Sequence, residues 1–158
     1  MKKYSSLVLF MIIGVFAGVV WSKKKNTIKV KQMEMLSNKH LSLFLMMSQW
    51  IKIKQNGKSI SEYIHKQQIE SIAIYGMSYA GECLLNELKD SDIKVKYGID
   101  KNANEIYSDI DIVSPEGKLE DVDAIIVTSV CFMDEIVELL SKKITCPVLS
   151  LEDILFKL

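Results

Sequence analysis

Ser71-Ile-Ala-Ile-Tyr-Gly-Met-Ser-Tyr-Ala-Gly81 decides the fold expected of this chain. A short β-prone run ends at Gly76, and a helical pattern follows at once, with Ala80, Leu84, Leu85 and Leu88 on one face. Strand, tight turn and helix therefore succeed one another without a spacer. Gly76, Ser78 and Gly81 hold the G-x-G-x-x-G spacing, with a serine at the middle position. Gly76 is expected to make the turn and Gly81 to let the helix pack closely on the strand. The Cβ of Ser78 impedes the approach of a pyrophosphate to the backbone, and its hydroxyl offers a hydrogen bond in exchange.

Downstream, Ile93-Lys-Val-Lys-Tyr-Gly-Ile99 alternates as a second strand and ends at Asp100, which opens an Asp-Lys-Asn-Ala-Asn turn. The two strands and the helix make a βαβ unit. Further strands are expected at 112–114, 124–129 and 148–151, with an amphipathic helix at 132–143 whose acids lead and whose lysines trail. Continuous apolar runs such as Ala124 to Val127 suit a parallel sheet covered on both faces. Right-handed crossovers then give an α/β Rossmann-like sheet of order 3-2-1-4-5.

A ligand of such a sheet sits outside the carboxyl ends of its first and fourth strands. The candidate binding residues are therefore Gly76, Met77, Ser78 and Gly81 in one loop, Thr128 and Ser129 in the opposite loop, and Asp100, placed to meet a ribose hydroxyl. Two readings stay open: a phosphate loop, or glycines that serve only the turn and the packing while Asp100 opens an Asx turn. Cys131 is the one nucleophile near this crevice and is expected to be a buried structural thiol. His40 and His65 have no triad-like partner and are expected at the surface.

Upstream, Asn56-Gly57 breaks a helix, and Ser59-Ile-Ser-Glu62 has the spacing of a capping box for a short helix over 60–67. The block Leu41 to Trp50 is hydrophobic almost all round and must bury more than one face, by packing within the protein or at a partner or oligomer seam. Tyr4 to Ser22 is a run of 19 uncharged residues, long enough as a helix to cross a bilayer, and Lys23-Lys24-Lys25 closes it. No small-x-small cleavage site marks it as a signal peptide. The heavier lysine cluster downstream places the following domain on the cytoplasmic side. The expected organisation is an anchor at 1–25, a helical linker at 26–67 and a Rossmann-like domain at 68–158.

Lys plus Arg and Asp plus Glu both number 20, so no global basic surface exists to neutralise nucleic acid. Three cysteines without ligand spacing indicate neither a disulfide framework nor a zinc site, and fit a reducing compartment.

The stretches SQWIKIKQNGKSISEYI, IAIYGMSYAGECLLNEL, VKYGIDKN, DIDIVSPE, VDAIIVTS and CPVLSLEDIL, spread from Ser48 to Leu155, resemble the Rossmann-type domains of bacterial capsule and surface-polysaccharide gene clusters. These are similar to the nucleotide-binding half of sugar O-acyltransferases. Their loop usually reads G-M-G or G-A-G, so Ser78 departs from it. The resemblance implies an accessory of surface-polysaccharide assembly that binds a nucleotide, NAD or a nucleotide-sugar without turning it over, and the transmembrane segment lies outside it. An NAD-dependent sugar-modifying enzyme reduced to its cofactor domain is the enzymatic alternative. A third expectation is an interaction module that recruits a glycosyltransferase through Leu41 to Trp50, or self-associates there.

Overall fold

A computed structural model describes the backbone of residues 2–129 and 131–158, and the side chains of residues 21–129 and 131–158. Helix α1 (Lys2–Gln55) and α2 (Ile60–Lys66) precede β1 (Ser71–Tyr75), α3 (Tyr79–Leu88), β2 (Lys94–Ile99), a 3-10 turn at Ala103–Glu105, β3 (Ile112–Val113), β4 (Ala124–Val127), α4 (Met133–Leu140), β5 (Val148–Ser150) and α5 (Leu151–Lys157). The chain divides into two compact units, Met1–Leu41 and Ser42–Leu158.

In the first unit every side chain from residue 21 to 41 is exposed. Among the described residues no helix is long and apolar enough to cross a membrane. Apart from Trp21 and Ser22, the side chains of the segment expected to span a bilayer lie outside the described ones.

The second unit is a parallel five-stranded sheet of order β3-β2-β1-β4-β5, the order expected from right-handed crossovers. Its two faces follow from the alternation of side chains along each strand. Ile72, Ile74, Ala124 and Ile126 point to one face, where α2, α3, α5 and the last turns of α1 cover them. Ala73, Tyr75, Tyr97, Ile99, Ile125 and Val127 point to the other, under Ile136 and Leu140 of α4. Strands buried on both faces explain why these runs are apolar without interruption.

The Leu41–Trp50 block resolves into two sides. Met46, Trp50 and Ile53 are buried against the sheet side, while Leu41, Phe44, Leu45 and Ile51 are exposed. Gly57, at φ +70°, ends α1 in the left-handed conformation that glycine adopts without steric cost. Half of the expected capping box forms: Ser59 Oγ accepts from the Glu62 amide at 3.3 Å. Helix α5 was not expected. It is capped by Ser150, whose Oγ accepts from the Asp153 amide at 3.3 Å, and the strand expected to reach residue 151 ends there instead.

One carboxylate binds three of these helices together. Glu87 on α3 accepts from the Trp50 indole Nε1 at 2.6 Å and from the Ile60 amide at 3.0 Å, and Lys54 Nζ lies 3.3 Å away. Its side chain is only 8% exposed, so this charge depends on protein donors rather than water. Glu87→Ala leaves the indole and the first amide of α2 unpaired and is expected to destabilise the protein by about 1 to 3 kcal/mol for each donor. Lys54→Ala removes a half-exposed partner and is expected to cost less than about 1 kcal/mol. Urea titration of the full chain in detergent measures both. Equal losses would mean that the ion pair, not the two hydrogen bonds, holds the helices.

Candidate functional site

The strand register brings the candidate residues to one rim. Tyr75 pairs with Ile99 on one side and with Val127 on the other, and Ile99 pairs with Val113. The residues that follow, Gly76, Asp100, Ser114 and Thr128, therefore leave the sheet at the same level. This is the switch point, where β1 turns into α3 and the strand order reverses.

Gly76 has φ +95°, a conformation that L side chains rarely adopt, and a Cβ there would stand 2.8 Å from Thr128 Oγ1. A Cβ on Gly81 would come closer than 3.0 Å to the Gly76 carbonyl oxygen, which is backbone and has nowhere to go. Both glycines of the spacing are thus required sterically, one by its φ and a neighbour, the other by the approach of α3 to the turn. Ser78 at the middle position has φ −88° and needs no glycine. It is exposed and its hydroxyl makes no cap bond. Among the described residues the amides of Ser78, Tyr79, Ala80 and Gly81 find no acceptor, as at the start of any uncapped helix, and the helix dipole adds positive potential there.

The remaining candidates face inward to different degrees. Thr128 is buried, and its hydroxyl donates to the Gly76 carbonyl at 2.6 Å and the Tyr75 carbonyl at 3.2 Å. It fastens the two loops to each other. Ser129 is half-buried beside it. Met77 is 2% exposed and belongs to the core under α3. Asp100 is half-buried and already occupied on both oxygens: Oδ2 accepts from the Met77 amide at 2.9 Å and Oδ1 from the Asn102 amide at 2.9 Å. Each carboxylate oxygen keeps a second lone pair, so a ribose hydroxyl can still donate to it.

Three participants escaped the sequence. Gly98, one residue before the end of β2, leaves room for Met77: a Cβ there would lie 2.7 Å from Met77 Cγ and 2.6 Å from Ile112 Cδ1. A glycine inside a strand is the signal for such a close approach. Glu116 follows β3, where Ser114 Oγ donates to it at 2.5 Å; that bond first, and then its own amide, hold its carboxyl below the ordinary range. Tyr75 is the third. Its hydroxyl is buried without a partner among the described residues. Burial first, and then the charges of Asp100 and Glu116, push it above its usual value of 10.0.

Cys131 is exposed, not buried as expected, because it lies in the loop ahead of α4 rather than on a packed element. His40 and His65 are exposed, as expected. No group of His, Cys, Asp and Glu side chains able to hold a metal ion occurs among the described residues. No protein-family model, curated protein or solved structure matches the chain. Its chemistry is therefore read from its own atoms.

The glycines can be compared with an internal control. Gly57 shares a positive φ, but its Cβ would meet nothing within 4 Å. Gly57→Ala is expected to cost about 1 to 2 kcal/mol, the left-handed penalty alone. Gly76→Ala carries the same penalty plus the contact with Thr128 and is expected to lose more. Thermal melts of both variants decide it, and equal losses would mean that Thr128 swings aside.

Tyr75→Phe removes a buried hydroxyl that has no partner among the described residues, so it is expected to leave stability unchanged or raise it by up to about 1 kcal/mol. A loss of that size in chemical denaturation would instead reveal a partner, such as a bound water.

Proposed function

We propose that this protein is a membrane-anchored, Rossmann-like accessory of surface-polysaccharide assembly, which binds a nucleotide or nucleotide-sugar at the switch point without turning it over. The observation that carries the proposal is the polarity of the rim. Unpaired amides of Ser78 to Gly81 open at one end, where an anion gains from the helix dipole. The carboxylates of Asp100 and Glu116 stand toward the β2 and β3 end, where only donors such as sugar hydroxyls are favourable. A ligand that carries phosphate at one end and hydroxyls at the other suits that arrangement, and nucleotides and nucleotide-sugars are built this way.

The accessory role rests on the resemblance of six stretches of the sequence to capsule-cluster domains. The membrane anchor rests on the uncharged run Tyr4 to Ser22 and its lysine flanks, which put the domain at the cytoplasmic leaflet, where lipid-linked glycans are assembled. Binding without turnover is supported by the rim's described side chains, among which none pairs a nucleophile with a base.

A second reading, an interaction module without a ligand, is favoured by one observation. Asp100 already occupies the Met77 amide, and Thr128 the Gly76 carbonyl, so the turn itself is held without a guest.

Calorimetric titration of the full chain in detergent with NAD, NADP, UDP-glucose and GDP-mannose separates the two. The first reading expects saturable heat with one of them, preserved or strengthened in Ser78→Gly and weakened by about 1 to 3 kcal/mol in Asp100→Ala. No heat with any of the four, from protein that melts cooperatively, leaves the interaction module.

A further inference from the structure

The helix ahead of the domain has no cover of its own. Residues 21 to 41 are helical with every side chain exposed, including Ile28 at 51%, Val30 at 54% and Met33 at 73%. Thr27, Ile28 and Val30 are β-branched and lose side-chain freedom in a helix. Helices in proteins owe most of their stability to the packing of one face, so a helix of this composition requires something to pack against. In the second unit, the side of α1 opposite Met46, Trp50 and Ile53 exposes Phe44 at 67% and Ile51 at 57%.

The spacing of the sequence says what fits. Val30, Met33, Phe44, Met47 and Ile51, with Ser37 and His40 between them, follow one another at intervals of 3, 4, 3, 4, 3 and 4 residues. That is the a and d spacing of a two-stranded coiled coil over three heptads, with Met47 half-buried against the chain's own core and the other six exposed. Such a seam is complementary to itself. Val30 and Ile51 place β-branched residues at a positions, as two-stranded coiled coils do, with Met33, His40 and Met47 rather than leucine at d, and Ser37 and His40 form a polar layer of the kind that fixes register. In this frame Lys29 falls at g and Glu34 at the following e, so in a parallel pair each Lys29 meets the Glu34 of the other chain. Leu36 and Leu41 repeat the same relation with two apolar residues. An antiparallel pairing carries Lys29 and Glu34 to opposite ends of the seam and leaves both charges unmatched.

We propose that a second copy of this chain covers the face from Val30 to Ile51, forming a parallel two-stranded coiled coil that pairs two domains. The inference holds whether or not the switch point binds a ligand.

Disulfide trapping in full-length protein, with Cys83, Cys131 and Cys146 replaced by alanine, tests it. Ser37→Cys lies on the seam and is expected to cross-link to its own counterpart in high yield. Lys39→Cys lies on the far side of the helix and is expected to cross-link poorly. Sedimentation equilibrium in density-matched detergent is expected to give the mass of two chains. Glu34→Lys places like charges across the seam and should weaken association several-fold, and adding Lys29→Glu should restore it. Both positions are exposed, so neither variant threatens folding, and circular dichroism checks this. A single-chain mass, equal cross-linking at positions 37 and 39, a Ser37→Cys cross-link to a different protein, or indifference to the charge reversal would each overturn the proposal.

Discussion

The contact between Gly81 and the carbonyl of Gly76 is the constraint on which the rest of the domain depends. Because no Cβ stands between them, α3 can begin against the turn that ends β1 and lie back across the sheet. Leu84 and Leu88 then reach Ile72 and Ile74, and Glu87 is carried to where the indole of Trp50 and the first amide of α2 converge on it. A side chain at residue 81 would lift the start of the helix, and the displacement would grow along its length. The packing of α3 and the anchoring of α1 and α2 thus follow from one missing methyl group.

The same closeness shapes the rim. With α3 pressed on the turn, the Met77 side chain is driven inward, and the absent Cβ of Gly98 is what receives it. Its amide is left at the edge of the loop, where Asp100 takes it up. Thr128 closes the other side on the Gly76 carbonyl. What is left over is of two kinds: amides at the helix start that find no acceptor among the described residues, and the carboxylates of Asp100 and Glu116 at the ends of β2 and β3, with lone pairs to spare.

How much of this could be read in advance depends on how local each interaction is. The βαβ unit and the sheet order were legible because apolar runs, glycines and turn residues lie within a few positions of one another, and crossover handedness supplies the rest. The helix break at Asn56-Gly57 and the Ser59 cap were legible for the same reason. The Glu87 cluster was not. Its partners are 37 and 27 residues away in sequence, and nothing in the pattern of α3 distinguishes an acid that turns under a neighbouring helix from one in water. The inward turn of Met77 and the occupied state of Asp100 are also long-range, since they need β2 placed beside β1. Helix α5 was hidden because the apolar run Val148-Leu-Ser-Leu151 continues into it without a break, although Ser150 with Asp153 three residues later is the spacing of a cap. Cys131 was misjudged because a thiol's general tendency to be buried was applied to a loop residue.

The block from Leu41 to Trp50 shows how a composition that looks ambiguous can be the sum of two separate demands. One side supplies Met46 and Trp50 to the core, and Ile53 extends it one turn further. The sheet has a full helical layer on that face only because the end of α1 joins α2, α3 and α5. A unit of this size buries a modest fraction of its surface, so losing that contribution would be felt by the whole fold. The stretch is therefore not a passive spacer between an N-terminal segment and a finished domain. Its opposite side, which the domain leaves bare, cannot be explained by the domain's own packing. A residue such as Phe44 at 67% exposure contributes nothing to this fold that a polar residue would not. The proposed pairing with a second copy would account for the apolar character of that side.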